Sequence, residues 1–338
     1  METETNLSIQ VSNIPPSNHK NSFAVLLLLL IPLIVVILTY SETNKPKIIN
    51  TDEDLKIKAA FSNADIVAKA AYVWDVEDQK VIYAKNEKDQ LPLASLTKVM
   101  AALGALDGKN GFEQIKITSD SLKQEGDSGL KNDEKWKIKD LIDFSLVTSS
   151  NDGIYAVASA IESQKTSSSS MEGEIEQETK SIEEKAHRDF VNLINKKAKD
   201  IGLSKTYYLN ETGLDSSGDE NGGYGSAEDI AKLFAYIIKY SPKMLDATAY
   251  NEIKFTSLDD VSHQARNTNE IVGLIPNLIA SKTGYTDLSG GNLVVAFDLG
   301  LMKPIVISVL GSTREGKFDD MNKLIEATIN YVSEDNRN

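Results

Sequence analysis

A predicted β-hairpin near the start of the chain constrains the fold most, because strands that can pair with it occur only near the end. Ala68–Val76 and Lys80–Asn86 are rich in aromatic and branched residues and flank a polar turn, which is typical of a hairpin. A hairpin alone cannot bury its apolar face. The other strand-like segments are Leu278–Thr286, Asn292–Leu299 and Pro304–Leu310. The sequence therefore predicts one sheet that joins both ends of the chain.

The stretch between these strands is typical of helices. The predicted helices are Ser95–Leu106, Trp136–Val147, Gly153–Ile161, Phe190–Ile201, Ser226–Tyr240 and, after the last strand, Phe318–Val332. Residues 162–185 contain four consecutive serines and a Glu-rich stretch, and we expect a solvated low-complexity insertion that is helical at most in its second half. The pattern predicts an α/β (α+β) fold in which a helical subdomain interrupts the sheet, with a cleft between the two parts.

Composition excludes several classes of function. The chain has 338 residues, a formal net charge of -14, no Cys and three His. Without Cys there is no disulfide, thiol nucleophile or iron–sulfur ligand. His19, His187 and His263 lie far apart in the sequence, which argues against a His-based metal site or a Ser-His-Asp triad. The acidic chain also has no Lys/Arg-rich run, so we expect no nucleic-acid partner.

One uncharged segment stands apart from this globular pattern. Phe23–Tyr40 has 18 residues and would span about 27 Å as a helix, close to the thickness of a bilayer core. We predict a polar tail over 1–22, an uncleaved transmembrane anchor over 23–40, a linker over 41–63 and a globular domain over 64–335. A cleavable signal peptide is the alternative, although acidic residues precede the run and the small residues after it form only a weak cleavage site.

Lysines near this segment argue for the opposite orientation from the chemistry described next. Lys45, Lys47, Lys56 and Lys58 follow the segment and only Lys20 precedes it, which taken alone places the domain in the cytoplasm. Large domains after a first apolar segment translocate despite a modest charge bias. We therefore base the predicted orientation on the chemistry of the candidate site.

Ser95 and Lys98 are the first candidate catalytic pair. Three residues along an α-helix correspond to about 4.5 Å of rise, so the hydroxyl and the amine lie on one face. Lysine acts as a base only when it is neutral, which burial and a second cation can achieve. Lys282 is the candidate for that cation. An ordinary helix cap beside a solvated lysine is the alternative.

Two further clusters carry polar side chains that suit a cleft. Ser149 and Asn151 lie at the predicted break between two helices, where residues two apart can face the same side. Plain capping of the second helix is the alternative. On the edge of a predicted strand, Lys282 offers a fixed charge, Thr283 a hydroxyl that can hold a carboxylate, and Gly284 room for a substrate backbone. A simple turn is the alternative there.

The three clusters together resemble the motifs of a known superfamily. They are Ser95-Leu96-Thr97-Lys98, Ser149-Ser150-Asn151 and Lys282-Thr283-Gly284. In this order they resemble the penicillin-recognising serine acyl-transferases. The stretches PLASLTKVM (Pro92–Met100) and KTGYT (Lys282–Thr286) are most similar to the low-molecular-mass D-alanyl-D-alanine carboxypeptidases. The resemblance implies a β-lactamase/transpeptidase-like fold, with an antiparallel sheet flanked by helices and an active site beside an inserted helical subdomain.

What the resemblance implies for the site is a two-step acyl transfer. Ser95 attacks the penultimate D-alanine carbonyl of a peptidoglycan stem peptide, Lys98 is the base, and the backbone N–H groups of Ser95 and Tyr285 form the oxyanion hole. Ser149 relays a proton and Asn151 holds the substrate amide. The implied substrate-binding residues are Lys282, Thr283, Gly284, Tyr285, Thr286 and Arg266. The resemblance also implies acylation of Ser95 by β-lactams, no cofactor, no metal, and an extracytoplasmic domain.

Other activities on the same scaffold remain alternatives. A class A β-lactamase uses a glutamate four residues before an asparagine, and Thr206 occupies that place before Asn210. A D,D-endopeptidase or transpeptidase differs only in cleft shape. A β-lactam sensor without catalysis would have to signal through a tail of only about 22 residues, too short for an output domain.

Overall fold

The computed structural model describes residues 51–107, 111, 113–166, 176–300 and 302–335. The described residues from Leu55 onward form one compact unit. The predicted anchor Phe23–Tyr40, the tail before it and residues 41–50 of the predicted linker lie outside the described residues, whereas 51–60 of that linker form a helix. Among the helices that are described, none has the length and apolarity to cross a bilayer.

The described part of the chain contains seven α-helices and twelve strands. The helices are α1 Thr51–Ala60, α2 Thr97–Leu106, α3 Ile138–Thr148, α4 Asn151–Thr166, α5 Glu176–Asp200, α6 Ala227–Tyr240 and α7 Gly316–Asp335. The first strands are β1 Ala70–Asp75, β2 Lys80–Lys85, β3 Leu91–Pro92, β4 Gln114–Lys116, β5 Lys135–Lys137 and β6 Tyr207–Tyr208. The others are β7 Gly223–Gly225, β8 Glu252–Thr256, β9 Ser262–Arg266, β10 Leu278–Thr286, β11 Gly290–Asp298 and β12 Pro304–Ser312.

The main sheet joins the two ends of the chain, as the hairpin predicted. Its five strands lie in the order β10-β11-β12-β1-β2, and every neighbouring pair is antiparallel. The early hairpin therefore completes its sheet through β12, with Val73 opposite Ile307. This order places β10 at one edge of the sheet.

Successive residues of the sheet face two different apolar cores, because side chains alternate along a strand. On β11, Leu293, Val295 and Phe297 are buried in a core that includes residues of α7. Val294 and Ala296 are buried in a second core with residues of α2 to α6. The helical subdomain therefore packs against one face of the sheet, and α7 covers the other.

Several predicted boundaries were wrong. Trp136 was predicted as helical, but it lies on β5, where it pairs with Ile115 of β4 and its ring is buried against Phe144. The helix predicted from Phe190 begins at Glu176, because its polar first turns consist of good helix formers.

The insertion and one hairpin also differ from the prediction. The first half of the insertion is partly helical, since α4 continues to Thr166, whereas residues 167–175 lie outside the described residues. The hairpin of β8 and β9 was not predicted, because its sequences EIKFT and SHQAR are largely polar. Alternate side chains of both strands are exposed. The strands therefore contain too few apolar residues for hydrophobic patterning to predict them.

Candidate active site

Ser95 lies in a tight turn that leads into α2. Ala94–Leu96 form one 3₁₀ turn, and the α-helix proper begins at Thr97, close to the predicted start. The turn is held from outside, since the Ala94 N–H donates to Asn221 Oδ1 at 3.3 Å and the Leu93 N–H donates to the Gly223 carbonyl at 2.8 Å. The sequence pattern gave no indication of Asn221, which acts through tertiary contacts alone.

The amine of Lys98 contacts the hydroxyl of Ser95, as their spacing predicted. The distance from Nζ to Oγ is 2.9 Å, and Nζ also donates to the Thr212 carbonyl at 2.7 Å. Lys98 is completely buried. Burial first and the nearby charge of Lys282 second lower the pKa of Lys98 well below its usual value, while the carboxylate of Glu211 opposes them. The solvated-lysine alternative is therefore wrong.

Ser149 and Asn151 lie at the break between α3 and α4, and the capping role belongs to their neighbour. Ser150 Oγ accepts the Gly153 N–H at 3.0 Å. Ser149 has the left-handed φ of 62°, and its Oγ accepts a hydrogen bond from Lys282 Nζ at 3.0 Å. Asn151 Nδ2 donates to the Glu125 carbonyl at 2.7 Å, and its buried Oδ1 has no hydrogen-bond partner among the described residues.

Lys282 and Thr283 lie next to each other on the edge strand β10. Lys282 Nζ also donates to the Thr283 carbonyl at 2.8 Å, and burial lowers the pKa of Lys282 to about 7. Thr283 Oγ1 lies 2.6 Å from Thr268 Oγ1. The amine and the hydroxyl thus come from one strand, as predicted.

Gly284 has a structural role in addition to the one predicted. A Cβ atom at this position would lie 2.8 Å from the Leu93 carbonyl oxygen and 3.2 Å from the Ser95 nitrogen. Glycine was expected to admit a substrate backbone, but it first admits the Ser95 turn itself. The absent side chain therefore lets β10 lie directly against the candidate nucleophile.

The next two residues of β10 have separate surroundings. Tyr285 is 37% exposed, and the guanidinium carbon of Arg314 lies 4.1 Å from its ring centroid. Thr286 Oγ1 accepts from Asn221 Nδ2 at 3.2 Å, so it is part of the network that holds the Ser95 turn. Arg314 had no signal in the sequence, because it follows β12 and approaches the site only in the fold.

One cavity brings most of these residues together. Its volume is about 670 Å³, and Ser95, Ser149, Thr283, Gly284 and Tyr285 line it. Arg266, at the end of β9, lines the same cavity, so the structure also places this predicted residue at the site.

The arrangement suits nucleophilic acyl transfer. A buried neutral amine can take the proton of Ser95, and a second amine with neighbouring hydroxyls can hold an anionic substrate group. No group of three or more His, Cys, Asp or Glu side chains suited to a metal ion occurs in the part of the chain that the structure describes.

Known proteins match this chain over most of its length. A family model described as D-alanyl-D-alanine carboxypeptidase, peptidase S11, matches residues 57–176 and 184–313. D-alanyl-D-alanine carboxypeptidase DacF of Bacillus subtilis is 28% identical over 265 residues, which cover 77% of this chain and 61% of that protein. A D-alanyl-D-alanine endopeptidase of Escherichia coli is 24% identical over 253 residues, covering 74% of this chain and 73% of that one.

A solved structure is also similar to this chain. Penicillin-binding protein D2 of Listeria monocytogenes, in its ampicillin-bound form, superposes with a TM-score of 0.61 and 26% sequence identity. The match covers 78% of this chain and 97% of that chain. The implied fold, an antiparallel sheet flanked by helices with a helical subdomain, is confirmed.

Proposed function

The chain belongs to the D-alanyl-D-alanine carboxypeptidase family, and on that premise we propose that it removes the terminal D-alanine from peptidoglycan stem pentapeptides. One observation carries the proposal. The Ser95 hydroxyl lies 2.9 Å from a fully buried lysine amine, and a second buried lysine reaches Ser149 in the same cleft. The chain spans only 61% of the length of its Bacillus subtilis relative, so the activity of that whole protein is not carried over directly. The activity proposed for this chain is inferred from the geometry of its site.

Acylation begins with proton transfer from Ser95 Oγ to the neutral Lys98 amine. The oxygen attacks the penultimate D-alanine carbonyl, and the Ser95 and Tyr285 backbone N–H groups stabilise the oxyanion. Ser149, which is hydrogen-bonded to Lys282, passes its hydroxyl proton to the leaving amine and takes up the proton that Lys98 accepted from Ser95, so that Lys98 is neutral again. The peptide bond breaks, free D-alanine departs, and an ester remains on Ser95 until water hydrolyses it.

The terminal carboxylate of the substrate binds beside β10, at Lys282 and Thr283. Lys282 and Thr283 supply an ammonium and a hydroxyl on one strand, and Arg266 lines the same cavity with a guanidinium group. A carboxylate in this position gains charge-assisted hydrogen bonds. The unpartnered Asn151 Oδ1 accepts the substrate amide N–H.

β-Lactams acylate the same serine in this proposal. They present a strained amide carbonyl and a carboxylate to the site, as the terminal dipeptide does. The ampicillin-bound structure of the Listeria relative supports this expectation. Rapid β-lactam hydrolysis is not expected, because Thr206, at the place of the β-lactamase glutamate, has no carboxylate and instead donates to Asp229 Oδ2 at 2.9 Å.

An endopeptidase is the second candidate, because a relative from Escherichia coli carries that name. The same acyl-enzyme forms in both reactions, and only the leaving group differs. Incubation with a cross-linked muropeptide dimer separates them. A carboxypeptidase releases D-alanine from monomers and leaves the cross-link intact.

The location is also part of the proposal. Phe23–Tyr40 anchors the chain in the cell membrane with the catalytic domain outside, where peptidoglycan lies. The uncharged run supports an anchor, and the substrate supports the orientation. The mass of membrane-extracted protein tests the uncleaved anchor, since loss of the first ~40 residues contradicts it. Protease added to intact spheroplasts tests the orientation, and a protected domain contradicts it.

Release of D-alanine from a synthetic stem pentapeptide tests the activity. The wild type is expected to release one D-alanine per peptide, and Ser95→Ala to lose at least about 10³-fold in rate. Ser204→Ala, which changes an exposed serine, is the matched control and is expected to keep full activity. Equal rates for wild type and Ser95→Ala would refute the proposed reaction.

A further inference from the structure

We propose that Glu211 is a positioning residue for Lys98, and that His187 fixes its carboxylate from the helical subdomain. The inference rests on the proposed function, in which Lys98 is the base. It concerns a buried carboxylate outside the three motifs.

The backbone connects Glu211 directly to the base. Glu211 lies in the loop between β6 and β7, and its side chain is only 5% exposed. The carbonyl of the next residue, Thr212, accepts the hydrogen bond from Lys98 Nζ at 2.7 Å. The residue that bears this carboxylate is therefore the direct chain neighbour of the acceptor that orients the amine.

Two helices hold the carboxylate through one histidine. His187 Nδ1, on α5, lies 3.0 Å from Glu211 Oε1 in a close polar contact that is not an aligned hydrogen bond. The other ring nitrogen, Nε2, lies 2.8 Å from Ser159 Oγ on α4. The imidazole also packs on Tyr155 with ring centroids 3.9 Å apart. Since α4 begins at Asn151, the same contacts connect Glu211 to a second element of the cleft.

The charge of Glu211 acts on Lys98 in the direction opposite to burial. Burial and Lys282 lower the pKa of Lys98, and the carboxylate of Glu211 raises it. A base must be neutral at working pH, yet it must also bind the proton of Ser95 strongly enough. Glu211 sets the balance between these two requirements.

Other charged groups lie around the pair. Lys282 faces Lys98 from β10, and Tyr155 lies near two more carboxylates, Glu183 and Asp120. Glu184, Arg188 and Asp215 line the same cavity as Glu211 and His187. This cavity, of about 580 Å³, is not lined by Ser95. Glu211 therefore acts through Lys98 and does not touch the reacting atoms.

The pH dependence of acylation of the full chain by a fluorescent penicillin tests this role. The rate rises with pH as Lys98 loses its proton. Glu211→Gln keeps the size of the side chain and removes the charge, so the midpoint of the rise is expected to move about one pH unit lower. Glu211→Asp keeps the charge, so its midpoint is expected to stay within about 0.3 unit of wild type.

Two further variants separate charge from packing. His187→Gln leaves the carboxylate in place but no longer fixed, so its midpoint is expected to fall by less than that of Glu211→Gln. Glu184→Gln removes an exposed carboxylate of the same cavity and is expected to leave midpoint and rate unchanged. Circular dichroism melting confirms that each variant is folded.

The outcomes distinguish this inference from the proposed function. If the wild type is not acylated on Ser95, the proposed function fails. If it is acylated and Glu211→Gln leaves the midpoint in place, only the role of Glu211 is overturned. A midpoint shift of equal size in Glu184→Gln also overturns it, and an unchanged midpoint in His187→Gln overturns the role of His187. So does a Glu211→Gln defect confined to deacylation, which would place the carboxylate on the hydrolytic water.

Discussion

At the scale of single residues, the site depends on two lysines that are both buried. Lys98 and Lys282 are 0% and 2% exposed. Burying an ammonium group costs several kcal/mol, so each amine loses its proton more readily than in water. The two nevertheless have different partners, since Lys98 reaches Ser95 and Thr212, whereas Lys282 reaches Ser149 and the carbonyl of its own strand. In the proposed reaction, Lys98 is the base that acts on Ser95, and Lys282 binds the anionic group of the substrate.

Because both lysines titrate, the acylation rate is expected to depend on pH in a bell shape. The rate rises as Lys98 becomes neutral, and it falls as Lys282 loses its charge. Since the pKa of Lys282 is lowered to about 7, the falling limb for free enzyme and substrate lies near that pH. Measurement of kcat/KM for D-alanine release between pH 5 and 10 checks this.

Lys282→Arg is the matched variant for this prediction. Its guanidinium stays charged at every pH of the assay, so the falling limb is expected to disappear while the rate drops. A wild-type rate that stays constant up to pH 10 would contradict the role given to Lys282.

At the scale of elements, the nucleophile is positioned by a loop and a strand that approach without side chains. Gly284 of β10 faces the Ser95 turn, and Gly213 faces it from the loop before β7. At Gly213, which has φ +79°, an added Cβ would lie 1.9 Å from the Ala94 carbonyl oxygen and 2.8 Å from Thr97 Oγ1. Both glycines are therefore required by contact with the turn.

Gly213→Ala is expected to damage both stability and acylation. The backbone strain and the clash together should lower the free energy of unfolding by about 3 kcal/mol and slow acylation at least tenfold. Gly129→Ala is the control, since Gly129 has φ +78° and nothing within 4 Å of its added Cβ, so only about 1 kcal/mol of strain is expected. Urea unfolding and penicillin labelling measure both. Equal losses in the two variants would show that contact with the turn is unimportant.

The elements also show how far the sequence could be interpreted. The main strands and the Ser95 helix were predicted, because a continuous run of apolar residues indicates a segment that is buried on both faces. The β8–β9 hairpin was missed because its polar strands carry little apolar signal. The three motifs identified the chemical groups, since those residue types are needed at fixed spacing. Asn221 and Arg314 could not be predicted, because only long-range packing brings them to the site.

At the scale of the whole molecule, one buried carboxylate links the two ends of the catalytic unit. Asp320 of α7 is 0% exposed and accepts the Val67 and Ala68 N–H groups, both at 2.9 Å, just before β1. It also accepts the Ser312 hydroxyl at 2.6 Å, at the end of β12. These contacts hold the start of β1 next to the end of β12. The main sheet depends on the pairing of these two strands.

Asp320→Ala is expected to destabilise the fold without changing the chemistry. Three bonds to a buried charge are lost, so the free energy of unfolding should fall by about 3 kcal/mol or more. The acylation rate of the folded fraction should stay at the wild-type value. Asp319→Ala, at the exposed neighbour, is expected to cost less than about 1 kcal/mol. If Asp320→Ala costs no more than is expected for Asp319→Ala, the buried carboxylate does not stabilise the pairing of β1 with β12.

We propose that folding places a deprotonated lysine beside the hydroxyl of Ser95 and so makes that serine the acylated residue. Mass-spectrometric peptide mapping after incubation with penicillin tests it most directly. We predict a single penicilloyl adduct, located on Ser95 and absent from Ser95→Ala. An adduct on any other residue, or one that persists in Ser95→Ala, would contradict the claim.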